Sequence, residues 1–240
     1  MCTLTFIPHK IEGFIVTSNR DEAPGRDTLI PKIYGEAATR LLYPKDTLAG
    51  GTWIGASDKK RLVCLLNGGF TAHERKASYR MSRGIIVTDL LTASDATRAV
   101  GGYDLHGIEP FTLIMVDWQD SWRLFELVWD EARVHFNEMK WEPHIWSSSL
   151  LYSEEVKQHR EAWFADFLKR HPNPLEADLL EFHKKAGTGD RENDIVMDRG
   201  FVRTKSITQV VARRDFTMRY EDLQKKSVSK KKLSLPEISS

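Results

Sequence analysis

The sequence predicts an α+β fold built on antiparallel β-sheet. Residues 1–70 have the character of strands, a helical period occupies 82–100, strands return over 111–136, two helices fit 153–186, and strands close the chain at 203–220. Helices and strands therefore come in separate groups, whereas a doubly wound parallel sheet alternates them strictly. A chain of 240 residues fits one large domain or two small ones. We expect a single domain over residues 1–223.

Local signals support each group of elements. Residues 3–7 and 13–18 are short apolar runs separated by a hairpin-length connection. A second hairpin is predicted around the polar turn at 57–60. In the later helical region, Pro172 ends one helix and Pro174 opens the next. These elements account for most of the chain up to residue 223.

Composition excludes several classes of protein. The chain has 35 Lys and Arg against 34 Asp and Glu, so its net charge of +1 predicts no nucleic-acid or anionic-membrane partner. No window has the 18 or more apolar residues of a membrane span, and residues 1–18 lack the pattern of a secretory signal. The two cysteines cannot form a disulfide framework. We therefore expect a cytoplasmic protein, with its oligomeric state left open.

Two further expectations concern metal sites and the end of the chain. The eight histidines show no zinc-ligand spacing, and no glycine-rich nucleotide motif is present, so no metal or resident cofactor is predicted. Residues 224–240 carry three consecutive lysines among serines, which is typical of a disordered basic tail. The tail is therefore expected to be a solvated chain end rather than a nucleic-acid-binding arm.

Cys2 is the strongest candidate for chemistry. Removal of Met1, which is normal when residue 2 is small, would leave a thiol and a free α-amine on one residue. The amine titrates near ~8 and the thiol near ~8.5, so the amine can accept the thiol proton close to neutral pH. The alternative is that position 2 is an arbitrary small residue, and Cys2 taken alone favours that alternative.

A charged segment ends the second strand beside Cys2. Asn19 and Asp21 should share one face of this strand, and Arg20 and Glu22 the other, because side chains alternate. A carboxylate at this position could hold the α-ammonium, and a guanidinium could lower the pKa of the thiol. The alternative is a strand end whose charges face water.

Several motifs together resemble the NRDE family, which includes the transport-and-Golgi-organisation protein of animals. They are Met1-Cys2, Ser18-Asn19-Arg20-Asp21-Glu22, Ala49-Gly50-Gly51-Thr52-Trp53-Ile54-Gly55 and Ser82-Arg83-Gly84, in the family's order and rough spacing. The family is similar to the N-terminal-nucleophile (Ntn) hydrolases, especially the choloylglycine hydrolase branch. That resemblance implies a four-layer αββα sandwich of two antiparallel sheets.

The resemblance also implies roles for individual residues. The branch's nucleophile falls on Cys2, and its oxyanion-hole asparagine resembles Asn67. The arginine of the branch falls on Ser18, two residues before Arg20. The implied catalytic residues are Cys2, Asn19, Arg20, Asp21 and Asn67. The implied substrate-binding residues are Trp53, Ser148, Arg203 and Lys205. For Trp53, core packing is the alternative role. Cys64, within an apolar run, is expected to be a small buried hydrophobic residue.

These implications favour a cysteine amidohydrolase that acts on a C–N bond of a small molecule. The first alternative is a haem-binding or haem-trafficking module on the same scaffold, because animal relatives have been linked to haem handling. A structural protein without a ligand is the second alternative. A scaffold can keep its fold while its site changes purpose, so the sequence leaves these alternatives open.

Overall fold

The computed structural model describes residues 3–9, 12–35 and 39–235, and these parts form thirteen strands and four helices. The strands are β1 (Thr3–Pro8), β2 (Phe14–Glu22), β3 (Thr28–Tyr34), β4 (Leu41–Asp46), β5 (Ile54–Ser57), β6 (Arg61–Asn67), β7 (Phe111–Asp117), β8 (Arg123–Trp129), β9 (Val134–Met139), β10 (His144–Ser147), β11 (Arg203–Ala212), β12 (Phe216–Asp222) and β13 (Ser227–Leu233). The helices are α1 (Arg83–Thr92), α2 (Ala96–Gly102), α3 (Glu154–Arg170) and α4 (Glu176–Lys185).

The strands form two antiparallel sheets. The first sheet has six strands in the order β10-β1-β2-β11-β12-β13, and the second has seven in the order β3-β4-β5-β6-β7-β8-β9. The second sheet follows chain order throughout, as a series of hairpins does. The first sheet instead joins the two ends of the described chain, because β2 pairs with β11. This pairing places the motif of residues 19–22 in the interior of the first sheet.

Three hydrophobic clusters hold four layers together. The largest lies between the sheets and includes Leu4 and Val16 from the first sheet and Cys64 from the second. A second cluster packs α1 and α2 on the outer face of the second sheet, and a third packs α3 and α4 on the outer face of the first. The structure confirms the predicted α+β fold and its αββα layering.

Most predicted elements are confirmed, but three strands before the C-terminal segment were missed. Both hairpins, the meander β7–β8–β9, the helices of residues 153–186 and the closing strand pair are present. The sequence analysis did not detect β3, β4 or β10. Pro31 lies where the pairing of β3 with β4 is irregular, which is where an edge strand tolerates proline. β10 has only four residues, so its alternation is too short to recognise.

The prediction of a disordered tail is wrong for residues 227–233. These residues form β13, which pairs with β12 along its whole length, from Ser227 opposite Asp222 to Leu233 opposite Phe216. Leu233 is buried in the core between the sheets, whereas the three lysines before it are exposed. Exposed lysines are typical of an edge strand that avoids pairing with other chains. Residues 236–240 of the predicted tail lie outside the described residues.

Within the described parts of the chain, every helix is too short or too polar to cross a membrane.

Candidate functional site

The β1–β2 hairpin brings the start of the described chain to the charged motif. Thr3 lies opposite Asn19, and the pairing continues without a break to Pro8 opposite Phe14. Met1 lies outside the described residues, and so does Cys2, which is the predicted nucleophile. The described chain therefore starts one residue after the predicted nucleophile, directly across from the first residue of the motif.

The motif is divided between two faces of β2, as the predicted alternation requires. Asn19 and Asp21 face the layer of α3 and α4, where both are buried. Arg20 and Glu22 face the second sheet and line a small cavity there. The two halves of the motif therefore have different surroundings and different partners.

Asn19 ties α4 to the first sheet. Its Nδ2 donates to the carbonyl oxygens of His183 and Ile195 at 3.1 and 3.0 Å. Its Oδ1 can then only accept, so Nδ1 of His183 carries the proton and donates to it at 2.6 Å. Nε2 of His183 accepts from the Thr5 hydroxyl at 2.8 Å. Burial, and then the nearby Arg160, lower the pKa of His183 to about 3, so this network holds a neutral imidazole.

Asp21 lies in a second buried polar cluster on the same face. The hydroxyls of Tyr152 and Thr204 donate to its two carboxylate oxygens, each at 2.5 Å. The guanidinium of Arg160 stacks on the ring of Tyr152, 3.6 Å from its centroid, and donates to the hydroxyl of Thr3. Sequence analysis missed Tyr152, Thr204 and Arg160, because each reaches the motif only through tertiary contacts.

The opposite face of β2 borders a cavity of about 80 Å³ at the ends of both sheets. Its lining residues are Arg20, Glu22, Arg26, Asp46, Ala49, Gly51, Thr52, Trp53, Leu65, Asn67, Ser82, Arg83 and Gly84. The cavity thus joins residues from three of the four motifs that carry the family resemblance.

Asp46 organises the arginines of this cavity. Its Oδ2 accepts from Nη2 of Arg20 at 2.6 Å and from Nε of Arg26 at 2.7 Å. Burial alone would raise the pKa of Asp46, but the backbone N–H of Ala49 and the two guanidinium groups outweigh it and lower that pKa. The carboxylate is therefore ionised and holds Arg20 in place. Sequence analysis missed Asp46, because this residue ends the undetected strand β4. It also missed Arg26.

Trp53 lies where the core between the sheets meets the cavity. The indole packs in the core between the sheets and also lines the cavity. The guanidinium of Arg20 lies over its ring, 4.4 Å from the centroid, in a cation–π contact. Trp53 and Asp46 therefore both contact the guanidinium of the motif's arginine.

The glycines of two motifs place the start of α1 over the cavity. A Cβ on Gly51 would lie 2.7 Å from the backbone carbon of Gly84, and one on Gly84 would lie 2.8 Å from the carbonyl oxygen of Thr52. Only glycine at both positions allows this close approach. Arg83 is held beside it by Glu109 at 3.0 Å and by the carbonyl of Pro110 at 2.8 Å.

The remaining predicted residues occupy three different positions. Asn67 lines the cavity, and Ser148 supports it from behind by donating to its carbonyl oxygen at 2.6 Å. Lys205 is buried and donates to the carbonyls of Pro24 and Arg26 at 2.7 and 2.6 Å, which holds the loop after the motif. Burial, and then Arg20, lower the pKa of Lys205. Arg203 lies outside the cavity.

Arg203 and Cys64 complete the sequence-predicted set. Nε of Arg203 is 3.7 Å from a carboxylate oxygen of Asp198, and its backbone pairs with Glu22. Cys64 is fully buried between the sheets, and burial raises the pKa of its thiol to about 12. The expectation of a small buried hydrophobic residue is thus confirmed for Cys64.

A larger cavity lies elsewhere. It has a volume of about 900 Å³ and lies between α4 and the outer face of β11, β12 and β13. None of the predicted site residues that the structure describes lines it. Among the described residues, no group of three or more His, Cys, Asp or Glu side chains is arranged to hold a metal ion.

The two sheets between helix layers, with the first two strands inside one sheet, define an Ntn-hydrolase fold. The N-acylethanolamine-hydrolyzing acid amidase ortholog of Caenorhabditis elegans is 14% identical, with a TM-score of 0.59 over 87% of this chain and 92% of that one. Two variants of conjugated bile acid hydrolase from Clostridium perfringens are 9% identical, with TM-scores of 0.58 and 0.57 over 99% of each chain. At these identities the likeness shows the fold.

The chain belongs to the Transport and Golgi organisation 2 family, whose family model matches residues 1–214. The resemblance inferred from the four motifs is therefore confirmed. No curated protein sequence matches the chain.

Proposed function

We propose that the protein is an Ntn-type amidohydrolase in which Cys2 attacks the carbonyl carbon of a small-molecule amide. The observation that carries this proposal is the pairing of Thr3 with Asn19 in a fold shared with amide hydrolases. Consecutive Cα atoms are about 3.8 Å apart, so covalent geometry ties Cys2 to this strand pair.

In the first half of the reaction, the α-amine of Cys2 accepts the thiol proton and the sulfur attacks the carbonyl carbon. A C–S bond forms, and the carbonyl oxygen takes the negative charge of the tetrahedral intermediate. The C–N bond then breaks, and the α-ammonium returns its proton to the leaving nitrogen. The products of this half are a free amine and a thioester on Cys2.

In the second half, water attacks the thioester while the α-amine takes its proton. The C–S bond breaks, the carboxylic acid leaves, and the thiol is restored. The net reaction is an amide plus water giving an acid plus an amine, so it needs no redox partner. We assign the oxyanion contact to the side-chain amide of Asn67, a role worth about 3–4 kcal/mol for one donor.

The two faces of the motif have separate roles in this proposal. Arg20, on the cavity face, favours the thiolate electrostatically. Asp21, whose carboxylate is oriented by Tyr152 and Thr204, holds the α-ammonium. Asn19 is a positioning residue, because its bonds to His183 and Ile195 fix the strand rather than point into the cavity.

The test is a screen of linear and cyclic amides with the purified protein, with Cys2→Ala and Cys64→Ala as paired variants. Removing a nucleophile costs several orders of magnitude in rate, so Cys2→Ala should abolish turnover, whereas Cys64→Ala should retain it. Turnover that survives in Cys2→Ala would contradict the mechanism. A saturable haem Soret shift at equimolar ratio, with no amide turned over, would replace it with the haem-carrier alternative.

A further inference from the structure

Two residues that line the small cavity, Arg20 and Trp53, each carry a buried hydrogen-bond donor without a partner in the described parts of the chain. Nη1 of Arg20 and Nε1 of Trp53 are both shielded from solvent and have no hydrogen-bond partner within residues 3–9, 12–35 and 39–235. The side chains are only 3% and 6% exposed. An unsatisfied buried donor is costly, and native proteins pair nearly all of them. Two such donors lining one cavity indicate that the cavity accepts a group with hydrogen-bond acceptors.

The charge of the lining favours an anionic acceptor. Three guanidinium groups, from Arg20, Arg26 and Arg83, face two carboxylates, from Glu22 and Asp46, so the lining carries one net positive charge. The start of α1 adds to this charge, because Ser82 and Gly84 border the cavity and a helix N-terminus carries partial positive charge. A single negative charge would neutralise the excess.

The size of the cavity limits the anion to a small one. One water-sized sphere occupies roughly 10–15 Å³ of such space. A cavity of about 80 Å³ therefore has room for a group of a few heavy atoms. A carboxylate group fits this space. It also carries a single negative charge and has two acceptor oxygens, one for each unused donor.

We propose that this cavity is a binding site for a monoanionic carboxylate, held by Nη1 of Arg20 and Nε1 of Trp53 in front of the first turn of α1. Asp46 accepts from Nη2 of Arg20, so Nη1 is the nitrogen of this pair that remains available to the ligand. The site shares Arg20 and its cavity with the proposed hydrolase, but acetate binding and amide turnover are measured separately, so either can fail without the other.

The test is a titration of the full-length protein with acetate at constant ionic strength, followed by ¹H–¹⁵N NMR of the indole N–H groups. Acetamide is the matched neutral probe, and inorganic phosphate is the larger anion. The chain has seven tryptophans, so the spectrum of Trp53→Phe assigns the Trp53 signal. We expect acetate to shift that signal saturably, and acetamide and phosphate to leave it in place.

Trp53→Phe removes the indole donor and keeps an aromatic ring under Arg20. Losing one hydrogen bond to a charged group should weaken acetate binding about tenfold, measured on the backbone amide of Gly84. Trp163→Phe is the control, because Trp163 lies on α3, stacked on His159 and away from the cavity; it should bind acetate like wild type. The proposal would be overturned if acetate and acetamide had equal effects, or if phosphate bound more tightly than acetate. It would also be overturned if no saturable shift appeared because water alone fills the cavity, or if Trp53→Phe bound acetate with unchanged affinity.

Discussion

Replacing Gly84 with alanine tests how closely α1 must approach the loop at residues 51–52. The added Cβ would lie 2.8 Å from the carbonyl oxygen and 3.0 Å from the nitrogen of Thr52. Both atoms belong to the backbone, so the contact is relieved only if α1 moves away from the loop. That movement would also lengthen the bond from the Thr52 N–H to the Gly84 carbonyl, which is already 3.4 Å.

The magnitude follows from two opposing effects. Overpacking of this kind costs about 1–3 kcal/mol. Alanine in place of glycine within a helix returns about 0.5–1 kcal/mol. Taking the middle of each range, we expect Gly84→Ala to lower the free energy of unfolding by about 1 kcal/mol. For a chain of this size, that corresponds to a fall in Tm of about 2–4 °C.

Urea denaturation measures this difference, and Gly101→Ala is its matched control. Gly101 also lies in a helix, α2, but a Cβ there would meet no atom within 4 Å. Gly101→Ala should therefore be more stable than wild type by about 0.5–1 kcal/mol. The reasoning is refuted if Gly84→Ala is as stable as wild type, or if both variants lose stability equally.

Three further predictions concern protonation and the N-terminus. His183 has a pKa of about 3 in the fold, against 6.5 for the free side chain. Below pH ~6.5 the unfolded state alone binds this proton, so the stabilisation is complete above that pH and is lost as the pH falls towards 3, by up to about 1.4 kcal/mol per pH unit. Urea denaturation at pH 7 and pH 5 should show a smaller difference for His183→Gln than for wild type; an equal difference would assign the effect to other groups. Limited alkylation with iodoacetamide, followed by peptide mapping, should label Cys2 before Cys64, because burial raises the pKa of Cys64 to about 12; preferential labelling of Cys64 would remove the support for a catalytic thiol. Intact-mass spectrometry should show that Met1 is absent, and a retained or acetylated Met1 would exclude a free α-amine on Cys2.

Local patterns were sufficient wherever a strand or helix has its own signal. The first hairpin, the β5–β6 turn, the meander of β7 to β9 and both later helices each have apolar periodicity bounded by turn residues or proline. The alternation of residues 19–22 across two faces was also predictable, because a strand has a period of two. The edge strands could not be predicted in this way. β3 contains a proline and β13 contains three lysines, and this composition also occurs in loops, so only the pairing with a neighbouring strand identifies them.

The contents of the site depended on contacts that no local pattern encodes. Asn19 and His183 are separated by 164 positions in the chain, and Arg20 and Asp46 by 26. Sequence alone determined the fold class, the family and the motif, because periodicity, turn chemistry and motif order are properties of short segments. Only the tertiary structure decided that Asn19 anchors a helix while Arg20 borders a cavity. The physical reason is that hydrogen bonding and burial depend on which distant segments the packed sheets bring together.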